Sequence, residues 1–362
     1  MTRRNYSLLG PDGLRAVETG LAAAEWYHTD VPRKAMKELM QRRDGPALRD
    51  TAIWLGSMIV LAGIAVALWA TGHPWLSAPV WLAYGVLYGS ASDSRWHETQ
   101  HGTAFRTPWM NQAVYHLACF MIVRNPHTWR WSHARHHTDT VIVGRDPEIA
   151  IMRPPAFLRL VLNTVGLLDA WHGWRLMLLN ASGRLDPEEA TYIPEAETPK
   201  VVAVARVWVV IYAATIAAAI WLQSVVPILL IGLPRLYGAW HHVMTGLLQH
   251  GGLADNVIDH RLNSRTVYMN PVSRFIYWNM NYHVEHHMFP MVPYYNLPRL
   301  HELIRHDLPA PCPSIPAAFR EMWPALRRQL AHEDHFLRRD LPPTARPYRE
   351  DLHAAALGTP AE

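Results

Sequence analysis

The chain has 362 residues, of which 50% are hydrophobic and 18% are charged, and its net charge is +4. The hydrophobic residues occur in long runs, which favours membrane helices over two soluble cores, and no basic patch coincides with a nucleic-acid-binding motif. The two cysteines, Cys119 and Cys312, are too few for a disulfide framework. We therefore expect no nucleic-acid partner, and we expect a lipid bilayer to be one partner of the chain.

Residues 1–50 are predicted to form a cytoplasmic amphipathic segment. This segment is rich in Arg and Lys but lacks the apolar core and cleavage site of a signal peptide. Residues 20–26 and 32–43 have the pattern of short amphipathic helices that rest on a membrane surface.

Four apolar runs are predicted to cross the membrane as two hairpins: residues 53–70, 75–90, 201–222 and 225–248. A hydrocarbon core requires about 20 helical residues, and the turn within each pair is only a few residues long. The positive-inside rule places both termini in the cytoplasm, which in a bacterium makes this the inner membrane. The predicted fold is an all-α membrane protein with four transmembrane helices and a cytoplasmic helical cap that holds a dinuclear metal site.

Three other segments are predicted to lie outside the membrane. Residues 110–123 are too short and too polar to span it, and we expect a helix at the interface or packed on the catalytic part. Charged residues interrupt residues 156–179, which favours one or two interfacial helices. Residues 184–200 are acidic and proline-rich, as is typical of a surface loop.

These segments define three predicted regions. The amino-terminal segment is followed by a membrane and catalytic domain over residues 51–310, and residues 311–362 form a cytoplasmic tail. From residue 340 onwards the composition favours disorder.

Eight histidines form three boxes with spacings of three and four residues. They are His97, His101, His133, His136, His137, His283, His286 and His287. Such spacings place side chains on one face of a helix, and imidazole is a preferred ligand of iron, copper, nickel and zinc. Because one ion cannot use eight imidazoles, the pattern predicts a dinuclear metal site built from three separate segments.

Two other classes of function are open at this point. The first box is also the His-Glu-x-x-His signature of zinc metalloproteases, in which Glu98 would be the general base. Such a protease needs one further ligand and has no use for six more histidines. A membrane metal transporter or sensor could also use the histidines, but a transporter should hold its ligands near the bilayer midplane, and every box lies outside the apolar runs.

The order of the boxes resembles the membrane fatty acid desaturase and hydroxylase superfamily. The resemblance covers residues 54–304 and includes the flanks Trp-Arg-Trp-Ser at 129–132 and His-Met-Phe-Pro at 287–290. It implies an oxidoreductase with two iron ions, replaceable by zinc in preparations, and O2 as co-substrate. The reaction implied is hydrogen abstraction from an unactivated C–H bond. Desaturation of a fatty acyl chain or lipid is favoured, and hydroxylation of a lipid or small polar substrate is the alternative.

The resemblance also implies a ninth ligand, His250, at the end of the last span, whereas His241 and His242 are expected to be structural or to support ligands. Ligating imidazoles are commonly oriented by a carboxylate on their other nitrogen. The polar residues near the boxes that we consider for this role are Asp93, Glu98, Asp146, Asp255, Glu285 and, through a water, Asn281. For Glu98 a solvent-facing position in its helix is the alternative.

Electrons are expected to come from a separate protein, because no segment resembles a haem or ferredoxin domain. A ferredoxin, a rubredoxin or a b-type cytochrome with its reductase would dock on the basic cytoplasmic face.

Overall fold

A computed structural model describes residues 4–22, 24–349 and 352. Within these residues the regular structure is helical, and the extended pairing consists of two isolated β-bridges, Thr266 with Tyr282 and Val267 with Cys312. The prediction of an all-α fold is confirmed.

The chain begins with two short helices and one long helix, which are α1 (Pro11–Glu18), α2 (Arg33–Leu39) and α3 (Asp44–Ala70). The helix predicted over residues 20–26 is wrong for the residues described there, and Ala23 lies outside them. Gly20 has a left-handed φ of 74°, which ends the helical path after α1, and residues 24–31 are irregular. Helix α3 contains the first predicted span.

The second predicted span continues directly into the first histidine box. Helix α4 (Pro74–Gly85), a π-helical turn (Val86–Ser90) and helix α5 (Ala91–Gln100) follow one another without a break. Helix α4 packs against α3, and the indole Nε1 of Trp54 donates to the carbonyl of Leu87 at 2.8 Å. The histidines of the first box therefore lie on an extension of an apolar helix.

The next two helices place the second box beside the first. They are α6 (Pro108–Ile122), which packs along α5, and α7 (Pro126–Thr138). Val123 has a left-handed φ of 58° and ends α6. The side chain of Asn125 then caps α7 by accepting from the backbone N–H of His127 at 3.1 Å. Pro126 stands at the first helical position, where no backbone donor is needed.

The segment after the second box forms a helix pair and then a long helix, which are α8 (Phe157–Thr164), α9 (Leu167–Ala181) and α10 (Thr198–Trp221). The pair matches the helices predicted over residues 156–179. The surface loop predicted over residues 184–200 is only partly correct, because Glu189 is buried and accepts from the amide of Asn180 at 3.2 Å. Helix α10 contains the third predicted span.

The fourth predicted span is not one continuous helix. Residues 225–248 contain α11 (Val226–Leu230), α12 (Pro234–Tyr237) and most of α13 (Trp240–His250). Pro227 and Pro234 lack a backbone donor, and Gly232 has a φ of 93°, so the chain turns between the pieces. This break brings the backbone of α12 close to α4, where a Cβ on Gly238 would lie 1.8 Å from the carbonyl oxygen of Gly85.

Two helical stretches in the described part of the chain are long and apolar enough to cross a membrane. One lies within Arg33–Ala70 and the other within Glu195–Trp221. They correspond to the first and third predicted spans. The four-span arrangement, the side of the membrane on which the histidines lie and the three predicted regions stay predictions.

The carboxy-terminal third of the chain packs around the third box. Its helices are α14 (His260–Asn263), α15 (Pro271–Ile276), α16 (His283–Met288), α17 (Leu297–Ile304) and α18 (Ile315–Arg328). The disorder predicted from residue 340 is wrong for residues 340–349, since the Thr344 hydroxyl accepts from Arg261 at 2.8 Å and Tyr348 packs on Phe336. Residues 350, 351 and 353–362 lie outside the described residues.

Candidate metal centre

The nine histidines named from the sequence lie together in two adjoining clusters. The first cluster consists of His97, His101, His133, His137 and His286, and the second consists of His136, His250, His283 and His287. Within each cluster, one nitrogen of every imidazole lies within 4.8 Å of the others. The rings of His137 and His287, one from each cluster, are 4.5 Å apart. The arrangement offers two neighbouring positions for metal ions.

Four helices supply these side chains, and each helix contributes one sequence motif. Helix α5 provides the first box, α7 the second and α16 the third, while α13 provides His250 at its last position. Helices α7 and α16 each give histidines to both clusters. The alternation follows from the His-x-x-His-His pattern, since neighbouring histidines point in different directions around a helix.

Short contacts between Nε2 atoms identify the nitrogens that face the interior of each cluster. In the first cluster the Nε2 atoms of His97 and His286 are 2.7 Å apart. In the second, the Nε2 atom of His283 lies 3.0 Å from those of both His250 and His287. Two nitrogens about 2.0–2.1 Å from one ion and at right angles would be about 2.9 Å apart. The observed separations fit nitrogens that share an ion.

Two carboxylates hold two imidazoles of the second box through their Nδ1 atoms. The Nδ1 atom of His136 is 2.9 Å from Asp146, and the Nδ1 atom of His133 is 2.9 Å from Glu148. Asp146 also accepts the backbone N–H groups of Val141 and Glu148, so its position is fixed. With Nδ1 donating to a carboxylate, Nε2 carries the lone pair that a metal requires.

Backbone and hydroxyl oxygens hold two other imidazoles in the same way. The Nδ1 atom of His250 is 2.8 Å from the carbonyl oxygen of Asn263. The hydroxyl of Thr140 donates to the carbonyl of His136 at 2.7 Å, and its oxygen lies 3.3 Å from Nδ1 of His287. These contacts again direct Nε2 towards the second cluster.

Burial favours the neutral form of most of the imidazoles. It lowers the pKa of eight of the nine imidazoles, to about 4 for His101 and about 3 for His250, and neighbouring imidazoles add to the effect. For His136 burial also opposes the charged form, but the charge and hydrogen bond of Asp146 outweigh it, and the pKa is raised. Since only neutral imidazole binds a metal, the donor set suits a metal ion at neutral pH.

Of the polar residues named from the sequence for an orienting role, Asp146 alone is seen to bond directly to a histidine of the clusters. Asp93 accepts from the indole of Trp96 at 3.1 Å, and that ring packs on His97 and His133, so Asp93 contacts the site through Trp96. Asp255 pairs with Arg4 at 2.8 Å.

The carboxylate of Glu285 and the side chain of Asn281 make structural contacts. Glu285 accepts from the hydroxyl of Thr266 at 2.6 Å and bonds to Nδ1 of His301. Asn281 donates to the carbonyl of Val267 at 2.9 Å. These three contacts tie the third box and the residues before it to Thr266, Val267 and His301.

Glu98 is fully buried, so the alternative of a solvent-facing position is wrong. Its carboxylate accepts from the hydroxyl of Thr103 at 2.7 Å and from the backbone N–H of Tyr294 at 3.1 Å. Burial raises the pKa of Glu98 to about 8. The side chain thus joins the first box to the segment after the third.

Four further residues, two named from the sequence and two overlooked, lie around the clusters. His241 bonds to the hydroxyl of Ser273 at 3.1 Å and His242 lies 3.4 Å from Arg235, so both are outside the clusters, as expected. His260 was overlooked, because it stands alone in the sequence, yet its ring is 4.9 Å from that of His287. Glu148 was also overlooked, although it lies two residues from Asp146.

The fold and these clusters define an all-helical protein with apolar, membrane-type helices and a buried histidine-rich metal site. The family model described as "Fatty acid desaturase" matches residues 73–319, which is more than half of the chain. The chain belongs to the fatty acid desaturase family, and the resemblance recognised from the histidine boxes is confirmed.

Three characterised relatives show the distance within that family. The chain is 25% identical over 286 residues to the chloroplastic sn-2 acyl-lipid omega-3 desaturase (ferredoxin) of Helianthus annuus, covering 74% of this chain and 62% of the relative. It is 23% identical over 281 residues to the endoplasmic reticulum acyl-lipid omega-3 desaturase (cytochrome b5) of Arabidopsis thaliana, covering 72% of each. It is 24% identical over 256 residues to the acyl-lipid (9+3)-(E)-desaturase of Dimorphotheca sinuata, covering 61% and 65%. The chain thus spans less than two thirds of the length of the Helianthus annuus relative.

Proposed function

We propose that this protein is a di-iron, O2-dependent desaturase of a fatty acyl chain. The observation that carries the proposal is the division of nine buried imidazoles into two adjoining clusters with their Nε2 atoms directed inward. The family supports an oxidoreductase, and the named relatives act on acyl lipids. A hydrocarbon substrate agrees with the unbroken helical path from α4 to the first box, because the box lies on the continuation of an apolar, membrane-type helix.

The metal ions would be held by His97, His101, His133, His137 and His286 at one position and by His136, His250, His283 and His287 at the other. Bound iron would supply the activation of O2 and the abstraction of hydrogen, which side-chain acid–base chemistry cannot achieve. Removal of two hydrogens from the substrate, together with two electrons and two protons from outside, reduces O2 to two waters.

The chain's own residues position the ligands and exclude water. Asp146 and Glu148 hold the rings of the second box, and the carbonyl of Asn263 holds His250. Burial raises the pKa of Glu148 to about 7. Because these contacts hold the rings with Nε2 directed into the clusters, little reorganisation of the ligands would be needed on metal binding.

The two electrons are proposed to come from a separate carrier protein. Two of the relatives are named for ferredoxin and for cytochrome b5, which supports a carrier of this type. Exposed charges attract one another only within roughly 8 Å at physiological ionic strength. We therefore expect added salt to weaken carrier docking and to lower turnover at limiting carrier concentration.

The test is a defined reaction with the purified full-length protein. The protein is reconstituted anaerobically with ferrous iron, mixed with membrane lipid, carrier, reductase and O2, and its acyl chains are analysed by mass spectrometry. Loss of two hydrogens from an acyl chain supports desaturation. Gain of one oxygen instead identifies a hydroxylase, the alternative implied by the ligand set. Absence of both products with a fully iron-loaded protein would contradict the proposal.

A further inference from the structure

Three rings pack in a row, here called the stack, from the second cluster to the protein surface, and the pair nearest the cluster is tilted by 35°. The ring of His260 lies 4.9 Å from that of the cluster residue His287, and the indole of Trp26 stacks on His260 at 4.2 Å with an angle of 7° between the planes. His260 is 1% exposed, whereas Trp26 is partly exposed. The stack is therefore a direct packed path between solvent and one of the two proposed metal positions.

The outer ring of this stack is fixed in place on both sides. The indole Nε1 of Trp26 donates to the carbonyl of Thr138, the last residue of α7, at 2.9 Å. The next residue, Tyr27, donates its backbone N–H to the carbonyl of Ile258 at 3.3 Å, and its ring lies 3.7 Å below the guanidinium of Arg261. The irregular segment over residues 24–31 thus holds Trp26 against the helix that supplies the second box.

His260 packs chiefly through its ring, against Trp26 on one side and His287 on the other. It belongs to neither cluster, and its Nδ1 atom is buried without a partner in the described residues. What the imidazole does provide is an aromatic ring that fills the space between Trp26 and His287.

We propose, on the basis of the function proposed above, that Trp26 and His260 form the route by which an electron enters the metal site at His287. The partner is a reduced one-electron carrier protein that docks over Trp26. In each step the carrier is oxidised by one electron, one ferric ion becomes ferrous, and no atom is transferred. Two such steps supply the electrons that O2 needs beyond those of the substrate. Electron tunnelling decays more slowly through packed rings than across a gap, which gives this path its advantage.

The test compares two reductants in rapid-mixing experiments on the iron-loaded protein. One is whichever of reduced ferredoxin, rubredoxin or cytochrome b5 reduces the wild-type site fastest, and the other is dithionite, a small reductant that needs no docking. For Trp26→Leu and His260→Leu we expect reduction by the carrier to slow about tenfold or more, equivalent to about 1.4 kcal/mol in the barrier. Reduction by dithionite and the iron content should stay as in the wild type.

Two further variants separate a route from a structural role. His260→Phe keeps an aromatic ring in the stack, so its rate with the carrier should stay close to the wild-type rate. Trp131→Leu removes another exposed indole, on the helix of the second box, and should leave the rate unchanged.

Several results would overturn the route. They are an unchanged carrier rate in Trp26→Leu, an equal loss with both reductants, or the same loss in His260→Phe as in His260→Leu. These results leave the proposed function intact as long as the wild type forms oxidised acyl product. If the iron-loaded wild type forms no product with either reductant, the proposed function fails and the route fails with it.

Discussion

The hydrogen bonds at the Nδ1 atoms of the imidazoles leave Nε2 as the nitrogen that can bind a metal. Asp146 and Glu148 approach the Nδ1 atoms of His136 and His133, one for each cluster. The two carboxylates lie on the loop between α7 and α8, so a single loop orients one ligand of each proposed ion.

This arrangement predicts that Asp146→Asn and Glu148→Gln weaken metal binding without removing a ligand. An amide presents a donor or a weaker acceptor to Nδ1–H, so the ring is less firmly held and less basic. Loss of such an outer contact typically costs about 10- to 100-fold in metal affinity. Iron remaining after dialysis against graded chelator measures the effect. The exposed Glu302→Gln is the matched control, and equal iron retention in all three variants would contradict the argument.

A second prediction concerns His250, the one proposed ligand outside the boxes. His250→Ala should remove a ligand from the second cluster and lower the iron content towards one ion per chain, with turnover nearly abolished. His241→Ala on the same helix loses only the contact with Ser273 and should retain both ions. Metal analysis of the folded, detergent-extracted proteins measures both. Normal iron in His250→Ala would move the ninth ligand elsewhere.

The sequence could predict the members of the clusters but not the residues that support them. Eight of the nine histidines follow from the repeated spacing of the boxes, and His250 follows from the family resemblance. The orienting role of Glu148 and the stacking of His260 depend on how a loop and α14 fold over the site. A carboxylate such as Asp255 is as close in sequence to a ligand, yet it pairs with Arg4. Nearness along the chain does not specify direction.

Among the helices, the break in the fourth apolar run shapes the membrane-type part of the fold. Its apolar composition predicted a span, but Pro227, Gly232 and Pro234 interrupt the hydrogen bonds of a continuous helix. The prolines were visible in the sequence. The apolar composition nevertheless predicts a span, because proline is tolerated in membrane helices when neighbouring groups compensate.

The break allows the backbone at Gly238 to lie against the backbone at Gly85. We therefore predict that Gly238→Ala destabilises the protein. The new methyl would lie 1.8 Å from the carbonyl of Gly85, and neither backbone has a flexible side chain to move aside. We expect a loss of about 1–3 kcal/mol or more, as for other overpacked sites. Thermal unfolding in detergent measures it.

The control for this variant is Gly246→Ala on helix α13. A Cβ at Gly246 meets nothing within 4 Å, so the substitution should be neutral or stabilising by roughly 0.5–1 kcal/mol. Equal stability of the two variants would show that α12 does not approach α4 as closely as described.

At the scale of the whole molecule, the amino- and carboxy-terminal segments both cover the catalytic part. Tyr27 and Thr29 donate to the carboxylate of Asp307, and Thr344 bonds to the same side chain. Arg261, which is fully buried, donates to Asp307 at 2.8 Å. The described parts of the two terminal segments therefore meet at Asp307.

The predicted four-span topology assigns each segment to one side of the membrane, and this assignment can be tested. Position 73, in the turn between α3 and α4, should face the outside, and position 302, on α17 beside the third box, should face the cytoplasm. His73→Cys should react with a membrane-impermeant maleimide in intact cells, and Glu302→Cys only after permeabilisation. The native thiols of Cys119 and Cys312 give a low background, since both are buried and burial raises the pKa of Cys312 to about 11. Labelling of Glu302→Cys from outside would contradict the proposed topology.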